Sequence, residues 1–222
     1  MEQVMKWSYS MLKDFEQCAR RYNEVRVLKH YPREETDAQD YGTRLHKAAE
    51  DFIKDKEEVT PEFGFLVPVL ESIAAMDGTK YCEHEMGVRI DLTPCKFDAP
   101  DVWARGIADI IVISPDETKA RCFDYKSGND KYPDTDQLLL MSLMIFKHFP
   151  TVQSVSGGLL FVLKGTLAKH RVERDKAAEL WWRWRERVTR LEAAHANGVW
   201  NPKKSGLCKR YCPVKTCEFC GD

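Results

Sequence analysis

The 222-residue chain has no apolar run near the ~20 residues a helix needs to span a bilayer, which excludes a membrane-spanning helix from the expected structure. It has no GxxxxGK[ST] motif, so ATP use is not expected. Neither an internal repeat nor a low-complexity linker divides it, and its length suits one substantial domain with a sizeable core. The start, "MEQVMKWSYSMLKDF", lacks the basic and then apolar regions of a secretory signal. A reducing cytoplasm is therefore the expected location, and disulfides are not the first reading of its cysteines.

What is present reads as a soluble globular protein, with 43% hydrophobic and 31% charged residues. The net charge of -1 hides an uneven spread. From Lys164 onward there are 14 Lys and Arg against 7 Asp and Glu, whereas the preceding residues have 20 against 28. A basic last third suits a polyanionic partner or simply a solvated surface. The acidic remainder argues against a passive, wholly electrostatic nucleic-acid binder. Eight cysteines are many for such a chain. Cys82, Cys95 and Cys122 are scattered and read as ordinary buried thiols. Cys208, Cys212, Cys217 and Cys220 cluster near the C-terminus, and metal is their first alternative to free thiols.

Periodicity predicts a helix from Ser8 or Ser10 to about Leu28, with Leu12, Phe15, Ala19 and Tyr22 on its apolar stripe. Pro32 and "REETD" mark a loop. Helices should follow over about 38–56 and 66–76. The period then changes. "YCEHEMGVRID", "VWARGIADIIVIS" and "KARCFDYKS" read as strands, with a hairpin turn at Ser114 to Thr118 joining the last two. A buried helix over about 135–149, strands at "VSGGLLFVL" and "AKHRVER", and a helix over about 175–196 complete the order. Gly198 ends that last helix. The expected fold is α/β: a single domain over 1–222 with a central mixed sheet flanked by helices. Its core lies at about 38–173, and the N-terminal helix meets the cysteine-rich tail.

The chemistry centres on "FDYKSG". In a strand, residues two apart share a face, so Asp124 and Lys126 point together, with Tyr125 opposite. A surface ion pair would explain them, at little energetic consequence. Asp109, however, is the one acid in the apolar run "GIADIIVIS", and a buried carboxylate needs a cation or a proton. Antiparallel pairing across the turn brings Asp109 near Asp124. Two converging carboxylates and a lysine match metal-assisted phosphodiester hydrolysis, since Mg²⁺ and Mn²⁺ prefer oxygen ligands and the lysine stabilises charge. The Tyr125 carbonyl is a further candidate ligand.

"GIAD", "FDYKSG" and then Gln137 at a helix start resemble the PD-(D/E)xK nuclease superfamily in its RecB-like branch. "YGTRLHKAAE", with Gly42 and His46, and "SYSMLKDFEQCARRY" fit the same pattern, so the resemblance runs from about Ser8 to Cys217. It implies a restriction-endonuclease-like core, with Asp109 and Asp124 as metal ligands, Lys126 as the catalytic lysine and His46 as an added ligand. Glu85, with Glu83 as the lesser alternative, matches the family's acid on the first strand. Gln137 would touch DNA or support the metal site. Two positions depart from the pattern. Met141 stands where a tyrosine is common, so no substrate role is assigned there, and Ala108 replaces the usual proline before the first acid.

The tail "CKRYCPVKTCEFC" has C-x3-C-x4-C-x2-C spacing, which suits a four-thiolate zinc site. The resemblance implies instead an iron-sulfur cluster held by Cys18, Cys208, Cys212 and Cys217, stapling the chain ends together without performing hydrolysis. Its usual C-x2-C-x5-C tail is here x3 and x4, across the same span. Cys220 is the alternative ligand and favours zinc. In "LWWRWRERVTR", Trp181 and Trp184 lie on the core stripe. Arg183 and Arg187, with Lys203 and Lys204 beyond, are candidate DNA contacts.

Together these readings predict a Mg²⁺- or Mn²⁺-dependent deoxyribonuclease, an exonuclease on single-stranded ends or flaps in recombination, repair or replication. It would work beside a helicase or recombination protein. The competing expectations are a nucleic-acid-binding module, or a structural subunit, with a zinc or iron-sulfur site and no catalysis.

Overall fold

The structure, a computed structural model, describes residues 5–31 and 36–221. Pro32 and the beginning of the expected "REETD" loop lie outside the described residues. The chain forms two compact units. One comprises the described residues of Met1–Lys6 and Thr36–Leu180, and the other those of Trp7–Glu35 and Trp181–Asp222.

In the first unit, the period-two stretches form strands β1 (Thr79–Val88), β2 (Pro94–Cys95), β3 (Ala104–Ile113), β4 (Lys119–Lys126), β5 (Ser154–Phe161) and β6 (Thr166–Glu173). They make one sheet in the order β2-β1-β3-β4-β5-β6. All pairs are antiparallel except β4 with β5, giving the mixed sheet that was expected. The hairpin between β3 and β4 is built by Asp116. Its carboxylate accepts from the Ser114 hydroxyl and from the backbone and hydroxyl of Thr118. These hydrogen bonds hold its pKa well below the ordinary range.

Two helices of this unit come from apolar stripes. Thr36 and Gln39 form a reciprocal capping box that starts α3 (Asp37–Asp55). Leu45 and Ala49 of α3 pack with Leu70 and Ile73 of α4 (Val67–Ala74) on Ile110, Val112, Phe123 and Tyr125 of the sheet. The parallel β4–β5 pair needs a crossover, and α5 (Asp136–His148) supplies it, buried along nearly its whole length. Met141 and Met144 of α5 lie where a side chain at Gly106 of β3 would have to go.

The second unit begins with α1 (Tyr9–Gln17) and α2 (Ala19–Tyr22), followed by a π-helical segment, Asn23–Val27. The expected continuous helix to Leu28 is thus broken. Cys18 is extended (φ -165°, ψ 110°), and its thiol accepts the Arg21 N–H, capping α2. The tail of α6 (Ala177–Asn197) belongs to this unit and buries Trp184, stacked at 5.9 Å on Trp7. Gly198 follows α6 with a φ of 67°, the left-handed stop its sequence predicts.

Candidate active site

The site forms where β1, β3 and β4 stop pairing regularly. Register runs from Thr79↔Ile113 to Cys82↔Ile110 and resumes at His84↔Ala108. Glu83, in the gap, holds a φ of 44° inside the strand. Such a residue breaks the alternation of side chains, so Glu83 and Glu85 need not share a face. Glu83 lies beside His46 and Asp109, whereas Glu85 is exposed, opposite the exposed Ile107. The first-strand acid at the site is therefore Glu83, in place of Glu85.

His46, Glu83 and Asp109 each offer a ligand atom within 4.8 Å of the others. His46 Nδ1 is 3.4 Å from Asp109 Oδ2 and 3.7 Å from Glu83 Oε1. Its Nε2 lies 3.0 Å from the Tyr125 carbonyl oxygen. Asp109 is buried and also accepts the Tyr125 N–H at 2.7 Å, tying β3 to β4. Burial alone would lower the His46 pKa, but the neighbouring carboxylates of Asp109 and Glu83 raise it to about 10. A protonated imidazole thus supplies the positive charge between two carboxylates that a metal ion would otherwise supply. The donor set of two carboxylate oxygens and one imidazole nitrogen fits a divalent cation. Nδ1 is the available ligand, because Nε2 is turned to the Tyr125 carbonyl.

Asp124 sits on a second, adjoining network. Its Oδ1 accepts from Gln137 Nε2 at 2.6 Å. Its Oδ2 is 2.6 Å from Lys126 Nζ, as an ion pair without hydrogen-bond alignment. Lys126 Nζ donates to Gln137 Oε1 at 3.0 Å, so Gln137 bridges the acid and the base. Burial and then the charge of Asp109 push the Asp124 pKa up to about 7, against the opposing pull of Lys126 and His46. The structure therefore gathers all the residues read from "GIAD" and "FDYKSG", with His46 and Gln137, but in two groups. Asp124 stands outside the three-donor group, and the Tyr125 carbonyl faces His46.

The second unit brings Cys18, Cys208, Cys212 and Cys217 around one pocket, floored by the buried Val214. Cys18 Sγ accepts the N–H groups of Arg21 and Lys203 at 3.5 Å, and Cys208 Sγ accepts that of Ser205 at 3.4 Å. Cys220 is not among the residues lining this pocket. The candidate DNA contacts of this unit are largely committed elsewhere. Arg187 binds both carboxylate oxygens of Glu16 at 2.7 Å and stacks over Trp184. Lys203 Nζ donates to the Glu16 carbonyl at 3.1 Å, and Lys204 lies over the Phe219 ring. Arg183 is exposed on α6.

The sequence model of the PD-(D/E)XK nuclease superfamily matches residues 6–67 and 68–217, nearly the whole chain. The chain belongs to the PD-(D/E)XK nuclease superfamily. As a member it is a nuclease by family, and divalent metals are the family's cofactors. Among solved structures, one from Eubacterium rectale, described as a candidate exonuclease, shares 14% identity. That match covers 94% of this chain and 87% of the other with a TM-score of 0.51, which supports the restriction-endonuclease-like PD-(D/E)XK fold. A protein named SSO0001 is also similar, at 14% identity over 99% of this chain and 88% of its own, with a TM-score of 0.42. No curated protein matches. No described helix is long and apolar enough to cross a membrane.

Proposed function

We propose that this PD-(D/E)XK nuclease is a Mg²⁺- or Mn²⁺-dependent deoxyribonuclease acting as an exonuclease on single-stranded ends or flaps. The observation that carries the reading is the three-donor group of His46, Glu83 and Asp109 set beside the Asp124–Lys126–Gln137 network. The exonuclease mode draws on the RecB-like resemblance and on the name given to the Eubacterium rectale protein. A divalent ion bound at this group would supply an activated water and neutralise charge on the phosphate. His46, Glu83 and Asp109 would hold it, and the imidazole nitrogen favours Mn²⁺ over Mg²⁺. Lys126 presents a cation fixed on two sides, able to hold the attacking water or a phosphate oxygen as charge grows there. Gln137 positions it, and Asp124, deprotonated above its raised pKa, holds it by an ion pair.

End-labelled single-stranded, duplex and circular DNA should separate the modes. With Mn²⁺ the wild type is expected to shorten linear single strands from an end and to spare circles. Asp109→Ala, which removes one donor and the anchor of the Tyr125 backbone, should abolish detectable cleavage. Wild-type protein that cuts no DNA in either metal would end the reading and leave a binding module. A substrate preference for RNA in the same assay would correct the nucleic acid.

The raised His46 pKa carries a prediction for metal-free protein. A histidine whose folded pKa lies above the ordinary 6.5 stabilises fully below 6.5, and that contribution is lost as the pH climbs through 10. In EDTA, wild type should therefore lose stability relative to His46→Gln across that window. The loss should be on the order of 2 kcal/mol, allowing for the partial exposure of the ring. Denaturant midpoints over the pH series check this, and parallel curves would show that the imidazole carries no such charge.

For the cysteines we infer an iron-sulfur cluster. A tetrahedral zinc site with Zn–S bonds of about 2.3 Å needs sulfurs about 3.8 Å apart. Among the described residues, only His46, Glu83 and Asp109 place three ligand atoms within 4.8 Å. No three of the described cysteine sulfurs lie that close together, and the RecB-like resemblance offers the iron-sulfur alternative for the four that line one pocket. Anaerobically purified protein should absorb near ~400 nm, and Cys18→Ser should lose that absorbance. A colourless, zinc-containing protein would overturn the assignment.

A further inference from the structure

The open side of β4, β5 and β6 has a feature that the hydrolytic centre does not use. Cross-strand register puts Arg121, Ser156 and Arg171 in one row, and Phe123, Gly158 and Lys169 in the next. Leu160 and Leu167 pair in the row nearest the site. Together with Met76, Gly157 and His170, most of these residues line a groove of about 500 Å³. Its rim is cationic. Arg121, Lys169 and Arg171 are all exposed. Among the described residues, Arg121 and Lys169 have no carboxylate partner, and Arg171 pairs only with the exposed Glu173. Its floor is apolar and partly covered already, since Phe123 and Gly158 are buried. Phe123 and Met76 line it, and at Gly158 a side chain would collide with the Ala168 carbonyl and with Leu167. His170 Nε2 is buried there without a hydrogen-bond partner. The groove shares β4 with the centre, and Arg121 lies three residues before Asp124, about 10 Å along the strand and on the face of Tyr125, opposite that of Asp124 and Lys126.

Three cations spaced over a sheet floor of apolar and glycine positions combine the two things a single nucleic-acid strand requires. Phosphates need fixed positive charge, and unstacked bases need flat, sequence-indifferent apolar contact. A carboxylate-bearing small molecule would use the charges and leave the apolar floor wet. An apolar peptide would bury Arg121 and Lys169 unpaired, which is costly. We propose that this groove binds the single-stranded substrate upstream or downstream of the scissile bond, with Arg121, Lys169 and Arg171 on phosphates and Leu167 against a base. The choice of ligand rests on the nuclease reading, while the groove itself does not touch the proposed metal group.

The test is binding without cleavage. A fluorescent single-stranded oligonucleotide is titrated in EDTA at ~50 to ~200 mM salt, and cleavage is followed separately with Mn²⁺. Arg121→Ala/Lys169→Ala/Arg171→Ala should weaken binding at least about tenfold and flatten the slope of log K against log salt by about 2, three contacts at ~0.7 each. Arg121→Gln/Lys169→Gln, which leaves the Arg171–Glu173 pair in place, should flatten it by about 1.4 and guards against a folding defect in the triple variant. Leu167→Ala should cost about threefold with the slope unchanged, because no charge is removed. Wild type that binds and cleaves, with charge variants of equal affinity and slope, overturns the groove and leaves the nuclease reading standing. Inorganic polyphosphate competing as well as the oligonucleotide would make the groove a general anion surface and also overturn the proposal. Wild type that neither binds nor cleaves removes both.

Discussion

Replacing Lys126 with alanine is expected to lower cleavage of an end-labelled single strand by about 10²–10³-fold while leaving its binding nearly intact, since a fixed cation at developing charge acts mainly in the transition state. The geometry gives Lys126 little freedom. Its Nζ is 2.6 Å from Asp124 Oδ2 and 3.0 Å from Gln137 Oε1, so the ammonium is held at a set position before substrate arrives. Lys126→Arg keeps the charge but replaces a point donor with a planar fork, and an intermediate loss is expected. Gln137→Ala removes the bridge and not the charge, so its loss should be smaller, about tenfold. Lys126 also pulls the Asp124 pKa downward from its burial-driven rise. Without it that pKa climbs further, which a pH titration of the Asp124 carboxyl in Lys126→Ala should read as a midpoint above that of wild type. Equal rates for wild type and Lys126→Ala would move the catalytic cation elsewhere.

Much of this centre was legible because strand chemistry is local. Asp109, Asp124 and Lys126 stand out as charges in apolar runs, and the alternation that makes them odd also makes them neighbours. The turn at Ser114 to Thr118 announced the β3–β4 pairing in its own residues. Other parts depend on backbone conformations that side-chain types do not advertise. Glutamate rarely adopts a left-handed φ, so regular alternation leaves Glu83 and Glu85 indistinguishable. Nothing in "FEQCARRY" breaks a helix, yet Cys18 is extended and caps the next one. The two-residue strand β2 is too short to show a period. Arg187 looked like a free cation in a basic helix because its carboxylate partner, Glu16, is 171 residues away. Where the signal is a pairing across sequence, only the fold reveals it.

Gly157→Ala should destabilise the protein by more than about 3 kcal/mol, a large share of the roughly 5–15 kcal/mol that typically holds a native domain together. Gly157 has a φ of 151° within β5, and a Cβ there would sit 1.8 Å from the Cys122 carbonyl oxygen. Both objections concern backbone, so no flexible side chain can move aside. The register places Gly157 opposite Cys122 of β4 and His170 of β6, and relief requires β4 and β5 to separate. That parallel pair also carries Asp124 and Lys126 two and four residues farther along β4, so any variant that stays folded should lose cleavage as well. Gly165→Ala is the control. Its φ of 64° is left-handed too, but nothing lies within 4 Å of the added methyl, so only the conformational cost of about 1 kcal/mol remains. Urea denaturation of both variants against wild type measures the difference. A Gly157→Ala protein as stable as Gly165→Ala would mean that β5 does not approach β4 this closely. In that case the strand that aligns the catalytic acid and lysine is held by something other than its parallel neighbour.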